Sequence, residues 1–167
     1  MHETLNTKNR GMLLESIINK SIYFYNIHKI AFIEKKSIPY KFSKKPTKIS
    51  DQITQQNIFL LKSTVDYIGC YQGKYVCFEA KSSNSDRIEK GSIIDHQLNF
   101  LIEIQNIGGI AYYIFMFTND LEFYLVDPKL IDKLTKSNKA INKKIIKKYS
   151  KKMELTFPGI LDFLSYI

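Results

Sequence analysis

Lys62-Ser63-Thr64-Val65-Asp66-Tyr67-Ile68-Gly69-Cys70-Tyr71-Gln72-Gly73-Lys74-Tyr75-Val76-Cys77-Phe78-Glu79-Ala80-Lys81 is the stretch that decides the fold. It reads as two strands joined at Gln72-Gly73, because Gly supplies the positive φ of a tight hairpin turn. Val, Ile, Tyr and Phe on either side favour strands. With a two-residue loop, Tyr71 pairs with Lys74, Asp66 falls opposite Glu79 and Thr64 opposite Lys81. Period-two alternation then gathers Thr64, Asp66, Glu79 and Lys81 on one face. Val65, Tyr67, Val76, Phe78 and Ala80 take the other, ready to pack on a core. Two carboxylates directly opposed repel unless something sits between them. A divalent cation such as Mg²⁺ fits that place, since hard cations take carboxylate oxygens. Two alternatives stay open: a plain hairpin with a wet polar face, or a bulge at Gly69 that moves Asp66 to the other face.

The chain has 167 residues and 44% apolar composition, enough for one domain with its own core. No run of 18 apolar residues appears, so no membrane span is expected. Met1 to Arg10 is polar, and Glu15 and Asn19 interrupt the apolar pattern beyond it. No signal peptide is expected, and the expected location is the cytoplasm. Cys70 and Cys77 are not opposed in this register and read as free thiols. No Cys/His set has zinc-like spacing.

The net charge of +9 is concentrated. Residues 129–152 carry ten lysines against the single acid Asp132, and residues 35–48 carry six lysines and no acid. Two basic stretches beside an acidic hairpin suggest a polyanion, most simply nucleic acid. Lys35, Lys36, Lys41, Lys44, Lys45 and Lys48 in the first stretch are the candidate DNA contacts, with Lys143, Lys144, Lys147 and Lys148 in the second. A solubilising lysine-rich surface in a protein coded by AT-rich DNA gives the same composition.

In chain order, residues 1–8 read as disordered. A helix from about Gly11 to His28 follows, capped by Asn9, with Met12, Leu14, Ile17, Ile18, Ile22 and Tyr25 at helical spacing. Glu15 falls beside that stripe, either as a satisfied surface acid or pointing at the hairpin site. Ile30 to Glu34 reads as a strand, and residues 36–58 as a long polar excursion. Ser92 is expected to cap a helix from about Ile93 to Ile107, ended by Gly108-Gly109. Ile110 to Phe117 reads as a buried central strand and Leu121 to Val126 as its hairpin partner. A lysine-rich tail with modest helical pattern follows, and Phe157 to Ile167 is expected to dock.

The order helix, strand, hairpin with Asp66…Glu79-Ala80-Lys81, helix, strand is similar to the core of the restriction-endonuclease-like P-D-(D/E)-x-K nucleases, with Val65 in the proline's place. Arg10-Gly11-Met12…Glu15, Ser63-Thr64-x-Asp66-Tyr67-x-Gly69-x-Tyr71-x-Gly73, Phe78-Glu79-Ala80-Lys81, His96-Gln97 and Gly108-Gly109-Ile110 together look like the RecU family. That family comprises Holliday junction resolvases of low-GC Gram-positive bacteria and their wall-less relatives.

The resemblance implies an α/β fold, a mixed central sheet flanked by helices, with a protruding stalk insertion. One nuclease domain would span residues 1–167, with the stalk at 36–58 and a basic C-terminal segment at 129–152. It implies Thr64, Asp66, Glu79 and Gln97 as metal residues, with Asp66, Glu79 and Lys81 catalytic and Lys81 as transition-state stabiliser. It also implies Mg²⁺ with Mn²⁺ as a substitute, a homodimer, four-way junction DNA as substrate, and a recombinase or branch-migration helicase as partner. The sequence departs from the family at Lys35-Lys36-Ser37-Ile38-Pro39, where a Lys-Pro-Thr-Pro run is usual, and at Ser82–Gly91, where Phe-Pro-Leu is absent. The functions to be separated are a junction resolvase, a related nuclease acting on other DNA, and a non-catalytic recombination-accessory protein.

Overall fold

The computed structural model describes residues 7–37, 40–42, 58–60 and 64–167, with backbone only for 7–10, 40–42 and 58–60. In chain order it has α1 (Thr7–Ile27), β1 (Ala31–Lys35), β2 (Tyr40–Phe42), β3 (Ile58–Leu60), β4 (Tyr67–Tyr71) and β5 (Lys74–Ser83). Next come β6 (Arg87–Ile88), α2 (Asp95–Asn106), β7 (Ile110–Phe117) and β8 (Glu122–Val126). The chain ends with α3 (Pro128–Lys136), β9 (Ile141–Asn142), α4 (Lys143–Tyr149), β10 (Lys151–Met153), β11 (Leu155–Thr156) and β12 (Ile160–Leu161). Six strands form one sheet in the order β1-β4-β5-β7-β8-β10. Only β5 and β7 run parallel, because α2 carries the chain back between them; the other neighbours are antiparallel. The α/β class and the mixed sheet with flanking helices are as expected.

The hairpin forms in the expected register, Tyr71 opposite Lys74 and Tyr67 opposite Phe78, with no bulge at Gly69. Gln72 and Gly73 both have positive φ, 49° and 74°, the conformation of a two-residue turn whose twist matches the strands. Gly69 has a separate cause. A Cβ there would lie 2.1 Å from the Phe32 carbonyl oxygen of β1, so no other residue lets the two strands approach.

Both faces of the sheet are covered. On one, Tyr67, Val76, Phe78, Tyr112 and Ile114 meet Leu14, Ile18 and Tyr25 of α1 together with Phe163 and Leu164. Phe78 lies between Tyr67 and Tyr112, ring centroids 4.7 and 5.1 Å away. Truncating it to Ala would cost about 3–5 kcal/mol. Of the segment expected to dock, Leu161, Phe163 and Leu164 do so here, with Tyr25 Oη donating to Asp162 Oδ1 at 2.7 Å, whereas Phe157 stays 97% exposed. On the other face, Cys77, Tyr113 and Phe115 pack with Leu98 and Leu101 of α2, Ile131 and Leu134 of α3, and Ile146 of α4. The Cys77 thiol is buried and pushed up to about 12, so it serves as packing.

Several expectations need correction. The first helix starts at Thr7, so residues 7 and 8 are helical and Asn9 lies inside the helix, not at its cap. Residues 1–6 lie outside the described residues. Ser92 does not cap α2: its hydroxyl donates to the Glu89 carbonyl in a 3-10 turn, and α2 begins at Asp95 after Ile94. Val65 joins the α2-side cluster, away from Tyr67. The ladder stops at Tyr67 and residues 64–66 bend, so period-two alternation no longer applies. On the polar face of the hairpin Glu79 is buried, while Thr64, Asp66 and Lys81 keep partial exposure.

The lysine-rich stretch is folded into the sheet. Asp127 Oδ1 caps α3 through the Lys129 amide, Asn142 caps α4, and β10 forms the sheet edge. Of the 36–58 excursion, β2 and β3 pair antiparallel at its two ends, Tyr40 opposite Leu60. Residues 43–57 lie outside the described residues, Lys44, Lys45 and Lys48 among them.

Candidate active site

Glu79 sits in the middle of β5, where strand neighbours and α2 leave it 1% exposed. A buried carboxylate needs partners. The Asp66 N–H donates to Glu79 Oε2 at 3.0 Å, and Lys81 Nζ donates to Glu79 Oε1 at 2.7 Å. Asp66 is held in return, its Oδ2 accepting from the Ala80 N–H at 3.2 Å. The bend at residues 64–66 makes this exchange feasible: the Asp66 amide turns from the ladder to a side chain. Asp66, Glu79 and Lys81 are therefore brought together as the register implied, though through side-chain bonds and not through a continued ladder.

Burial pushes the Glu79 carboxyl up to about 7, and the Asp66 carboxylate adds to the rise while Lys81 opposes it. Burial and the nearby Asp66 carboxylate both disfavour an ionised Glu79, and a divalent cation between the two would offset that penalty.

Thr64 is half-buried on the same bend, but it does not pair with Lys81. Its hydroxyl accepts from Lys36 Nζ at 2.8 Å, and the Lys36 N–H extends the β1–β4 contact by donating to the Asp66 carbonyl at 2.7 Å. Gln97 is 6% exposed on α2, beside Leu98 and Leu101, and its Oε1 has no hydrogen-bond partner among the described residues. Tyr113 is the neighbour of Glu79 on the parallel strand β7 and fully buried, and its hydroxyl also lacks a partner. Burial raises the Tyr113 hydroxyl well above its ordinary value, and the charge of Glu79 raises it further. Sequence patterning misses Tyr113. Only the β5–β7 register, a long-range pairing, sets it beside Glu79.

Among the described residues no three His, Cys, Asp or Glu side chains gather to hold a metal. A cation here would rest on the carboxylates of Asp66 and Glu79 with neutral oxygens of Thr64 and Gln97. An all-oxygen set of this kind, with an unpartnered buried carbonyl, suits Mg²⁺ or Mn²⁺ and not zinc.

Glu15 pairs with Lys35 at 2.6 Å, and its charge, with those of Asp66 and Glu79, raises the Tyr67 hydroxyl after burial has done most of the work. It is both a satisfied acid and part of the field around the hairpin.

The candidate DNA lysines divide. Lys143 is turned inward, paired with Asp120 and, at 2.8 Å, with Glu122, and lies 5.6 Å from the Phe117 ring. Its charge is paired within the fold. Lys144, Lys147 and Lys148 lie on the outer side of α4, away from the buried Ile146. Lys35 is engaged by Glu15, and Lys36 meets Thr64 at the bend of residues 64–66. Lys41 lies on β2 with only its backbone described.

The family model for Recombination protein U matches residues 9–167. The chain belongs to the RecU family. Proteins named Holliday junction resolvase RecU are similar along nearly the whole chain. That of Mycoplasmopsis pulmonis is 42% identical, covering 96% of this chain and 94% of its own length. That of Ureaplasma parvum is 34% identical, covering 98% and 94%, and that of a Geobacillus strain 31%, covering 97% and 84%. RecU membership thus covers the hairpin, α2 and the basic C-terminal elements alike.

Proposed function

We propose that this chain is a structure-specific endonuclease that resolves four-way DNA junctions by paired symmetric nicks in homologous recombination and repair. The carrying observation is the bonded set Asp66–Glu79–Lys81, a phosphodiester-cutting constellation intact in a chain whose relatives are named junction resolvases. A binding protein without catalysis has no need to keep two repelling carboxylates beside a half-buried lysine.

Thr64, Asp66, Glu79 and Gln97 would hold the Mg²⁺, with Mn²⁺ as its substitute. When bound it polarises the phosphate and lowers the pKa of water. Asp66 stays in place through the Ala80 amide, so its position does not depend on the cation. Lys81 spends one N–H on Glu79 and has two more for the charge that gathers on the phosphoryl oxygens. The outer lysines of α4 bind phosphates without reading sequence. The protein acts as a homodimer in the cytoplasm, since a twofold pair of sites matches a near-twofold junction and yields paired cuts. A recombinase or branch-migration helicase would be its partner.

The test is a labelled four-way junction with Mg²⁺, wild type against Asp66→Asn. Wild type should nick opposing strands symmetrically, and the variant should bind but not cut. Equal cutting by the variant overturns the site. Equal cutting of linear duplex by wild type overturns the junction assignment.

A further inference from the structure

Lys36 belongs to a basic stretch by sequence, yet the fold puts it in the catalytic bend. β1 pairs with β4 up to Lys35 opposite Tyr67. One residue on, the Lys36 amide donates to the Asp66 carbonyl and its ammonium donates to the Thr64 hydroxyl at 2.8 Å. The side chain is half-buried. Other lysines near acids are neutralised: Lys35 by Glu15, Lys81 by Glu79, Lys143 and Lys152 by Glu122. Among the described residues the side-chain partner of Lys36 is a neutral hydroxyl, which takes one of three N–H donors and none of the charge.

Resting on the nuclease reading above, we propose that Lys36 is a second catalytic cation, which grips the phosphate to be cut from its seat on Thr64. The ammonium stands one side chain away from the Asp66 main chain, so a phosphate approaching Asp66 meets it. A charge without a counter-ion in a half-buried place is stabilised by an arriving anion more than an exposed, screened one is. The backbone bond to Asp66 locks the base of the side chain, which reduces the entropy lost when the phosphate is gripped. The same position places a positive charge beside Thr64. In DNA-free protein that charge opposes a divalent cation on the Thr64 oxygen, so the ammonium must move from Thr64 to the phosphate when DNA and cation are both present.

The experiment uses full-length Lys36→Met and Lys36→Arg, with Lys74→Met, an exposed lysine at the turn end of the hairpin, as the control. Both Lys36 variants retain the main-chain amide that donates to Asp66. Two quantities are read: the single-turnover rate on pre-bound junction, and Mn²⁺ affinity without DNA by calorimetry. Lys36→Met should lose about 10²-fold in rate, as for one transition-state donor. Its junction affinity should change by less than about threefold, since it is one of many groups that neutralise phosphates. Its DNA-free Mn²⁺ affinity should rise. Lys36→Arg should regain most of the rate, and Lys74→Met should leave both unchanged. A normal rate in Lys36→Met overturns the proposal. So does a lost rate with unchanged or weakened Mn²⁺ affinity, which would make Lys36 a mere support for the bend. If wild type itself cuts no junction, the nuclease reading fails separately, and an unchanged Mn²⁺ affinity then removes Lys36 from the centre as well.

Discussion

Glu79 shows how one residue's surroundings set its chemistry. An ordinary glutamate ionises near 4.5, and burial moves this one to about 7. The folded protein thus keeps a proton that the unfolded chain has released between those values. Its stability contribution therefore falls as pH rises from 4.5 to 7 and is level above. A cation needs the carboxylate, so binding displaces the proton. We expect Mn²⁺ affinity to climb about tenfold per pH unit below about 7 and flatten above it. Calorimetry from about pH 5.5 to about pH 8 checks this, and a flat profile would remove Glu79 from the ligand set. Lys81→Ala should cut turnover by about 10²–10³-fold, read as single-turnover rate on pre-bound junction. Near-normal cutting would make the lysine only a counter-ion to Glu79.

The β8–α4 contact illustrates the element scale. Glu122, on β8, accepts from Lys143 and Lys152, which lower its carboxyl to about 2. That depressed value contributes stability above about 4.5, and the contribution disappears as pH falls toward 2. Glu122→Gln should cost about 1–3 kcal/mol at neutral pH, the range for charge-assisted hydrogen bonds. The gap to wild type in thermal unfolding should close with acid, and a gap independent of pH would refute the assignment. At the same scale, the β2–β3 ladder closes the base of the excursion as a sheet separate from the one that carries the carboxylates. Replacing residues 43–57 with a short Gly-Ser turn should leave the fold and Mn²⁺ binding intact. The junction-to-duplex affinity ratio at fixed salt should drop toward one. A retained ratio would place junction recognition in the spacing of two sites in a dimer.

For the whole molecule, the net charge of +9 is unevenly offered, because Lys143, Lys152 and Lys136 of the basic segment are paired with Asp120, Glu122 and Asp132. The outer lysines of α4 remain. Changing Lys144, Lys147 and Lys148 together to Gln should weaken binding to junction and duplex alike. The slope of log affinity against log salt should become shallower by about 0.9 for each phosphate that is no longer neutralised. An unchanged slope would show these lysines to be solvated surface.

Much was decided within single segments. The turn at Gln72-Gly73 and the register from Tyr67 to Lys74 follow from short-range rules, since alternation and turn chemistry act over a few residues. The class of fold came with the family resemblance, and Asp66 reaches Glu79 through the bend at residues 64–66. The docking of Leu161, Phe163 and Leu164 was also readable, from plain apolar content. The rest needed distant chain. Tyr113 lies beside Glu79 only because α2 returns β7 parallel to β5, and Lys36 meets Thr64 only because β1 pairs with β4. The lysine-rich stretch became two helices and an edge strand because its sparse apolar residues, Ile131, Leu134, Ile141, Ile146 and Met153, find a sheet to cover. Val65 changed face because the demand of a buried carboxylate for the Asp66 amide overrides strand alternation where the ladder ends. The sequence determined which groups can carry the chemistry, and the tertiary structure decided which of them are buried, paired or left with charge to offer.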